Sequence, residues 1–359
     1  MLSQGLLGGL LCGAVIAGCG SPNLRDADGS SGVDGGAPPD GSVIADSAVA
    51  PPDAGMIEGD AAAPIDAGTG GMDAGSAAAD AGVPRPDAGP TTEPIPDAFL
   101  ASMTYVTANI GRDYAARSEM VAALDRVGDA LDARSGPRFI GWQEIGEGDP
   151  CGASCEIDAL RARFASTQGW DTRHPMGARP SGGSERVKVP VTSKGANADV
   201  RVRAVFASPG WAGVSPTRFV TVVHYPSRNL SVINTHFIAG AWSCRSEVAR
   251  RRDYWRQAWN VLRAEVATEH DRGRNVVITG DLNRPRAADS CNPAWDPTSV
   301  HAGARIIGGA GIDYIFAVPA APYRFVLARR ADGTVQEGSI ARGIDSHRAH
   351  WVAGRFMPR

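Results

Sequence analysis

Residues 20–97 cannot build a core, and that confines any folded structure to the rest of the chain. The stretch is dominated by Asp, Ala, Gly and Pro and repeats Asp-Ala-Gly at Asp53, Asp66, Asp73, Asp80 and Asp87. It has few aromatic or branched apolar side chains, so burial cannot offset the conformational entropy lost on ordering, and disorder is expected. A flexible linker of this length reaches roughly 50 Å, and further where prolines and like charges extend it. The Asp repeats lack the ligand spacing and the strands of calcium-binding repeats.

The start of the chain is apolar instead. Residues 5–18 carry no charge but fall short of the roughly twenty residues that a helix needs to cross a bilayer, as expected of an export signal. The run ends in Ile16-Ala17-Gly18-Cys19. That sequence resembles a lipoprotein signal-peptidase site, with small residues before a Cys that becomes the lipidated amino terminus. Residues 1–19 are thus expected to be a lipoprotein-type signal, with Cys19 the lipid anchor to the membrane of the cell envelope. Met1-Leu2-Ser3-Gln4 has no Lys or Arg, a departure from the usual signal. A plain secretory signal, releasing the protein, is the alternative.

Charge divides along the same boundary. Of 36 basic and 39 acidic residues in the chain, residues 20–97 hold 2 and 14, leaving 34 and 25 for the remainder. A near-neutral total therefore conceals an acidic tail on a basic domain. Such a domain favours an anionic partner, nucleic acid or phospholipid headgroups. Cys12 leaves with the signal, so four cysteines remain in the domain: Cys151, Cys155, Cys244 and Cys291. An even number in an exported domain points to two disulfides. Three pairings exist, and Cys151–Cys155 with Cys244–Cys291 is the one favoured. A zinc site is disfavoured, because no second closely spaced pair follows the first.

From residue 98 to 359 there is chain enough for one large core. Alternating or continuous apolar runs predict strands at 103–110, 139–142, 202–206, 219–224, 230–234, 275–279, 312–318, 324–327 and 349–356. Helical spacing predicts helices at 116–134, 156–164 and 246–270, the last with Trp255 and Trp259 facing the core. Strands outnumber helices and many are consecutive. This favours an α/β (α+β) sandwich of two packed sheets with helices outside over a doubly wound parallel sheet. The Gly-, Ser- and Pro-rich stretch 175–194 reads as a loop.

Polar side chains recur where these strands end. Val276-Val277-Ile278-Thr279 reads as a buried strand, and Gly280 is expected to let the backbone turn at its end. Asp281 and Asn283, two residues apart, then project together and can position a water or a phosphate; an Asx turn is the plainer explanation. Asn109, Glu144 and His236 end other strands, Asp313 lies in Gly311-Ile312-Asp313-Tyr314, and His347 lies near the C-terminus. Each alone is commonly a cap or a satisfied polar group. Seven in one domain point to a site.

In order and context, Trp142-Gln143-Glu144, Asn234-Thr235-His236, Gly280-Asp281-Leu282-Asn283 and Ile312-Asp313-Tyr314 resemble the endonuclease/exonuclease/phosphatase superfamily, whose members are like deoxyribonuclease I. The resemblance spans 104–351. It implies a four-layer sandwich of two mostly antiparallel sheets with the active site at one edge. It further implies that Glu144, with Asn109 beside it, holds a divalent metal, Mg²⁺ first, with Mn²⁺ or Ca²⁺ as the other candidates. His236 and His347 would act as general acid and base, in an order the sequence leaves open. Asp313 would orient His347, while Asp281 and Asn283 would position water and phosphoryl oxygens.

One departure bears on a second metal. The family usually ends in Ser-Asp-His, whereas this chain has Asp345-Ser346-His347. Ser346 is a poor replacement for a carboxylate, and Asp345 compensates only if the loop shifts by one residue. The expected activity is hydrolysis of phosphodiesters by a monomer with no protein partner, with nucleic acid as the substrate. A sphingomyelinase or phospholipase C, or an inositol-phosphate phosphatase, is the alternative on the same scaffold. A catalytically inactive surface-binding domain is the alternative of another class.

Overall fold

The computed structural model describes residues 102–359 except 113, 148–151, 197–198, 245–246 and 342–346. The expected signal, Cys19, the linker, Cys151, Asp345 and Ser346 lie outside the described residues.

The first half of the domain contains β1 (Met103–Asn109), α1 (Arg117–Asp132), β2 (Arg138–Gln143), α2 (Gly152–Arg163), β3 (Trp170–Arg173), β4 (Met176–Ala178), β5 (Ser184–Arg186) and β6 (Val191–Lys194). Next come β7 (Arg201–Ser208), β8 (Arg218–Tyr225), β9 (Leu230–His236), α3 (Val248–Asp271) and β10 (Asn275–Asp281). The chain ends with β11 (Arg305–Ala310), β12 (Asp313–Val318), β13 (Tyr323–Leu327), β14 (Glu337–Ala341) and β15 (Arg348–Pro358). One sheet has the order β13-β15-β1-β2-β6-β3, with β14 also on β15. The second has the order β11-β12-β10-β9-β8-β7.

The alternation of side chains along each strand explains the layers. Tyr105, Phe139, Val232, Val277, Ile315 and Val352 point between the sheets and form one core. Their neighbours Val106, Ile140 and Trp142 point the other way, onto Met120, Leu124, Val127 and Leu131 of α1 and Leu160 of α2. On the second sheet Ile233, Val276, Ile278 and Phe316 meet Trp255, Trp259, Leu262 and Val266 of α3. The result is helix, sheet, sheet, helix: the expected four-layer sandwich.

Two expectations are corrected. The stretch 175–194 is not a plain loop: β4 and β5 form a small hairpin, and β6 lies inside the first sheet between β2 and β3. Its Val-Thr-Ser-Lys sequence is too short and polar to stand out. Gly280 does not turn the chain. It is an ordinary ladder residue of β10, opposite Tyr314 and Thr235. A Cβ there would stand 2.7 Å from the Thr235 carbonyl oxygen, so close approach of two backbones, not a turn, is what requires glycine.

Parallel pairing sets the working edge. β1 runs parallel to β2 and β9 parallel to β10, so both pairs deliver their C-terminal ends together. β12 and β15 run antiparallel to these and begin at that edge. Just behind it, a buried polar lock joins the sheets. Gln143 Nε2 donates to Asn234 Oδ1 (2.7 Å), and Asn234 Nδ2 donates to the carbonyls of Trp142 (2.6 Å) and Pro190 (3.0 Å). Thr279 Oγ1 donates to Asn234 Oδ1 at 3.1 Å. Gly141 leaves the room for this lock, because a Cβ there would meet Thr279 and Asn234.

Candidate active site

Both sheets contribute to one cluster at that edge. Asp281 ends β10 with its side chain 1% exposed, opposite His236 on β9 and Asp313 on β12. Asn109 Nδ2, from the end of β1, donates to Asp281 Oδ2 at 2.9 Å and lies 3.5 Å from Glu144 Oε1. The Asn283 N–H donates to Asp281 Oδ1 at 2.8 Å, closing the Asx turn considered from the sequence. The turn and the cluster are the same object. Burial, and then the neighbouring Asp313, push the Asp281 carboxyl above its ordinary range, while His236, His347 and Asn109 pull it back.

Two of these residues occupy backbone that L-residues seldom adopt. Glu144 has φ 65° and Asn283 φ 49°. Such conformations cost about 1–3 kcal/mol each and persist where the surroundings enforce them. At Asn283 the enforcement is visible. Its Nδ2 donates to Phe237 O at 3.0 Å and lies 3.1 Å from His236 Nε2. Trp255 Nε1 donates to Leu282 O at 2.7 Å, and the Arg284 guanidinium sits over Trp242 at 3.6 Å. The Cys244–Cys291 disulfide, expected from the sequence, ties the segment after β9 to the segment after β10. Cys155 is also disulfide-bonded, but Cys151 lies outside the described residues.

His236 is held by two residues that sequence reasoning missed. Arg218, the first residue of β8, places Nη1 2.7 Å from His236 Nδ1 and 2.8 Å from Glu147 Oε1. Glu147 Oε1 is itself 3.7 Å from His236 Nδ1. Burial alone would raise the Glu147 carboxyl, but Arg218, with the His236 contact behind it, overrides burial and brings it down to about 2. A guanidinium has no acceptor face and a neutral imidazole accepts at one nitrogen only. Arg218 therefore competes for the ring's one lone pair with a second donor, Asn283 Nδ2, which lies 3.1 Å from Nε2. That nitrogen faces Glu144 Oε1 at 3.7 Å and Asp281 Oδ2 at 3.8 Å.

His347 stands opposite under lighter restraint. Its Nδ1 lies 3.3 Å from Asp313 Oδ2 and 4.0 Å from Asp281 Oδ2, with 26% of the side chain exposed. A proton shared from Nδ1 to Asp313 leaves the basic lone pair on Nε2. The seven candidate residues thus meet in one hydrogen-bonded and ion-paired cluster.

The donor set fits a hard divalent cation. Glu144, Glu147 and His236 form one group of potential ligands, and Asp281, Asp313 and His347 a second. Among the described residues, each group holds a buried carboxylate oxygen without a hydrogen-bond partner, Glu147 Oε2 in the first and Asp313 Oδ1 in the second. Glu144 suits the metal best: its carboxylate is partly exposed, with Asn109 Nδ2 3.5 Å and His236 Nε2 3.7 Å from Oε1. Asn109 Oδ1 accepts from Gly111 N–H at 2.9 Å while its amide NH₂ faces Asp281 and Glu144, so it braces two carboxylates and does not turn an oxygen toward a metal.

No family model and no curated protein matches this sequence. Solved structures similar to it include an endonuclease/exonuclease/phosphatase from Bacteroides vulgatus, at 16% identity over 72% of this chain and 100% of that one, with a TM-score of 0.47. A protein of the same description from Beutenbergia cavernae is 14% identical over 71% of each chain, with a TM-score of 0.47. Sphingomyelinase C from Streptomyces griseocarneus is 12% identical over 71% of this chain and 99% of its own, with a TM-score of 0.43. Likeness at this level concerns overall shape and carries no weight for the chemistry.

Proposed function

We propose that the domain is a divalent-metal-dependent phosphodiester hydrolase acting on nucleic acid. The observation that carries the proposal is the convergence of Asn109, Glu144, His236, Asp281, Asn283, Asp313 and His347, from both sheets, on one edge. A cation held by Glu144 would supply Lewis-acid stabilisation of charge on the phosphoryl oxygens. The protein's own groups divide the proton work. His347, with Asp313 on Nδ1, has its lone pair on Nε2 and takes the proton of the attacking water. His236, held by Arg218 at Nδ1 and by Asn283 at Nε2, acts as the general acid toward the leaving oxygen. Asp281, which accepts from Asn109 Nδ2 and the Asn283 N–H, holds the geometry of the cluster. Asn283 offers amide hydrogens beside His236.

The basic domain supports an anionic polymer as substrate. In this reading the N-terminal segment exports the protein and Cys19 anchors it, placing the site at the cell envelope. Purified protein assayed with Mg²⁺ on DNA, RNA, sphingomyelin and inositol phosphates tests the reading. Cleavage of DNA or RNA that chelation abolishes is expected. Turnover of sphingomyelin or inositol phosphate alone would replace the substrate class, and no cleavage of any would end the hydrolase reading.

A further inference from the structure

A second basic feature lies away from the site. A groove of about 720 Å³ opens between the edge strands of the two sheets, β11 and β13. Arg305, Arg324, Arg329 and Arg359 line it, over a floor that includes Ile307 and Phe325. A contiguous recess of about 230 Å³ shares Arg305, Arg324 and Arg359. No Asp or Glu lines either one, and none of these arginines makes an ion pair among the described residues. Arg359 and Arg329 are fixed by donating to the carbonyls of Tyr323 (2.9 Å) and Gly333 (2.6 Å). Four guanidiniums with no Asp or Glu among them make the groove net positive, which an anion relieves.

Strand register separates this groove from the catalytic edge. Arg305 lies opposite Ala317, four residues along β12 from Asp313, which is about 13 Å. Arg324 lies opposite Met357, ten residues along from His347, or about 33 Å. Charges on edge strands also discourage sheet-to-sheet association. That function needs no concavity and no apolar floor. A flat bilayer does not enter a groove between sheet edges, whereas an extended strand does, with its phosphates at the guanidiniums.

We propose that this groove is a binding site for single-stranded nucleic acid, holding the polymer apart from the point of hydrolysis. The inference rests on the phosphodiesterase reading for its purpose, though not for its binding chemistry. The test is fluorescence anisotropy of a labelled oligothymidylate with the whole protein in EDTA, alongside Mg²⁺-supported hydrolysis of bis(p-nitrophenyl) phosphate. Arg305→Ala/Arg324→Ala should weaken oligonucleotide binding by about tenfold and reduce the slope of log Kd against log salt by about 1.4, the value for two lost phosphate contacts on a single strand. The Arg305→Lys/Arg324→Lys variant should retain most of the binding, and hydrolysis of the small diester should be unchanged in both. Oligonucleotide binding that is equal in wild type and the alanine variant would overturn the proposal and leave edge protection. Binding of phosphatidylglycerol vesicles but not of oligonucleotide would overturn it in favour of a membrane. Arginine-dependent binding without any hydrolysis would sink the phosphodiesterase reading and leave the groove standing.

Discussion

The two histidines of the site are built in opposite ways. His236 is 2% exposed, ends a central strand, and is gripped by Arg218 and Glu147, themselves nearly buried. His347 is 26% exposed, precedes β15, and has Nδ1 3.3 Å from Asp313 Oδ2 and 4.0 Å from Asp281 Oδ2. The difference teaches how one cleft can house two imidazoles in distinct electrostatic settings. His236 meets a guanidinium at Nδ1 and an amide NH₂ at Nε2, whereas His347 meets a carboxylate at Nδ1. Restraint also separates stability from activity. The His236 corner is part of the folded core, and the His347 corner is an addition at its rim.

The comparison breaks most sharply at the rings themselves. His236→Ala and His347→Ala should each lower kcat for a phosphodiester by about 10³, measured by steady-state kinetics, if both move protons. A loss confined to one would reduce the pair to a single acting histidine. Arg218→Ala should come next, and in stability before activity. It leaves the buried Glu147 carboxylate without its partner, which typically costs about 3–5 kcal/mol in chemical denaturation.

The same corner has a pH signature. Glu147 is held at about 2, below its ordinary 4.5, so its contribution to stability is full above pH 4.5 and is lost as pH falls toward 2. Arg218→Ala should erase this contribution, so the variant should gain much less stability than wild type between pH 2 and 4.5. Denaturation midpoints across that range check the sign. Asp313→Asn should instead spare stability and lower kcat by about 10- to 100-fold, as losses of orienting partners commonly do. Away from both corners, Asn234→Ala should cost about 1–3 kcal/mol, because it strands buried partners in the lock between the sheets. That loss should appear in urea denaturation.

Much of the architecture was legible because burial writes itself into period-two and period-3.6 patterns. Val276-Val277-Ile278 had to be a buried strand, and Trp255 and Trp259 had to face inward. The seven candidate residues were legible because each lies at or within two residues of the end or start of such a strand. What escaped had no comparable pattern. Glu147 is one acid in a short loop three residues after Glu144, and Arg218 is one of 32 arginines in the domain. Their meaning depends on β8 lying beside β9, a pairing that only the assembled sheet reveals. Gly280 was misread for a related reason. Glycine at a strand end suggests a turn, but the constraint came from the Thr235 backbone on the neighbouring strand. Arg305 and Arg324 were visible only as net charge until two sheet edges brought them together.

The most direct test of the paired-histidine site is hydrolysis of one chromogenic phosphodiester by wild type, His236→Ala and His347→Ala, each with Mg²⁺ and with EDTA. The account predicts turnover by wild type only with the metal, and a loss of about 10³ in both variants. Turnover that survives EDTA, or that is equal in wild type and both variants, would contradict it.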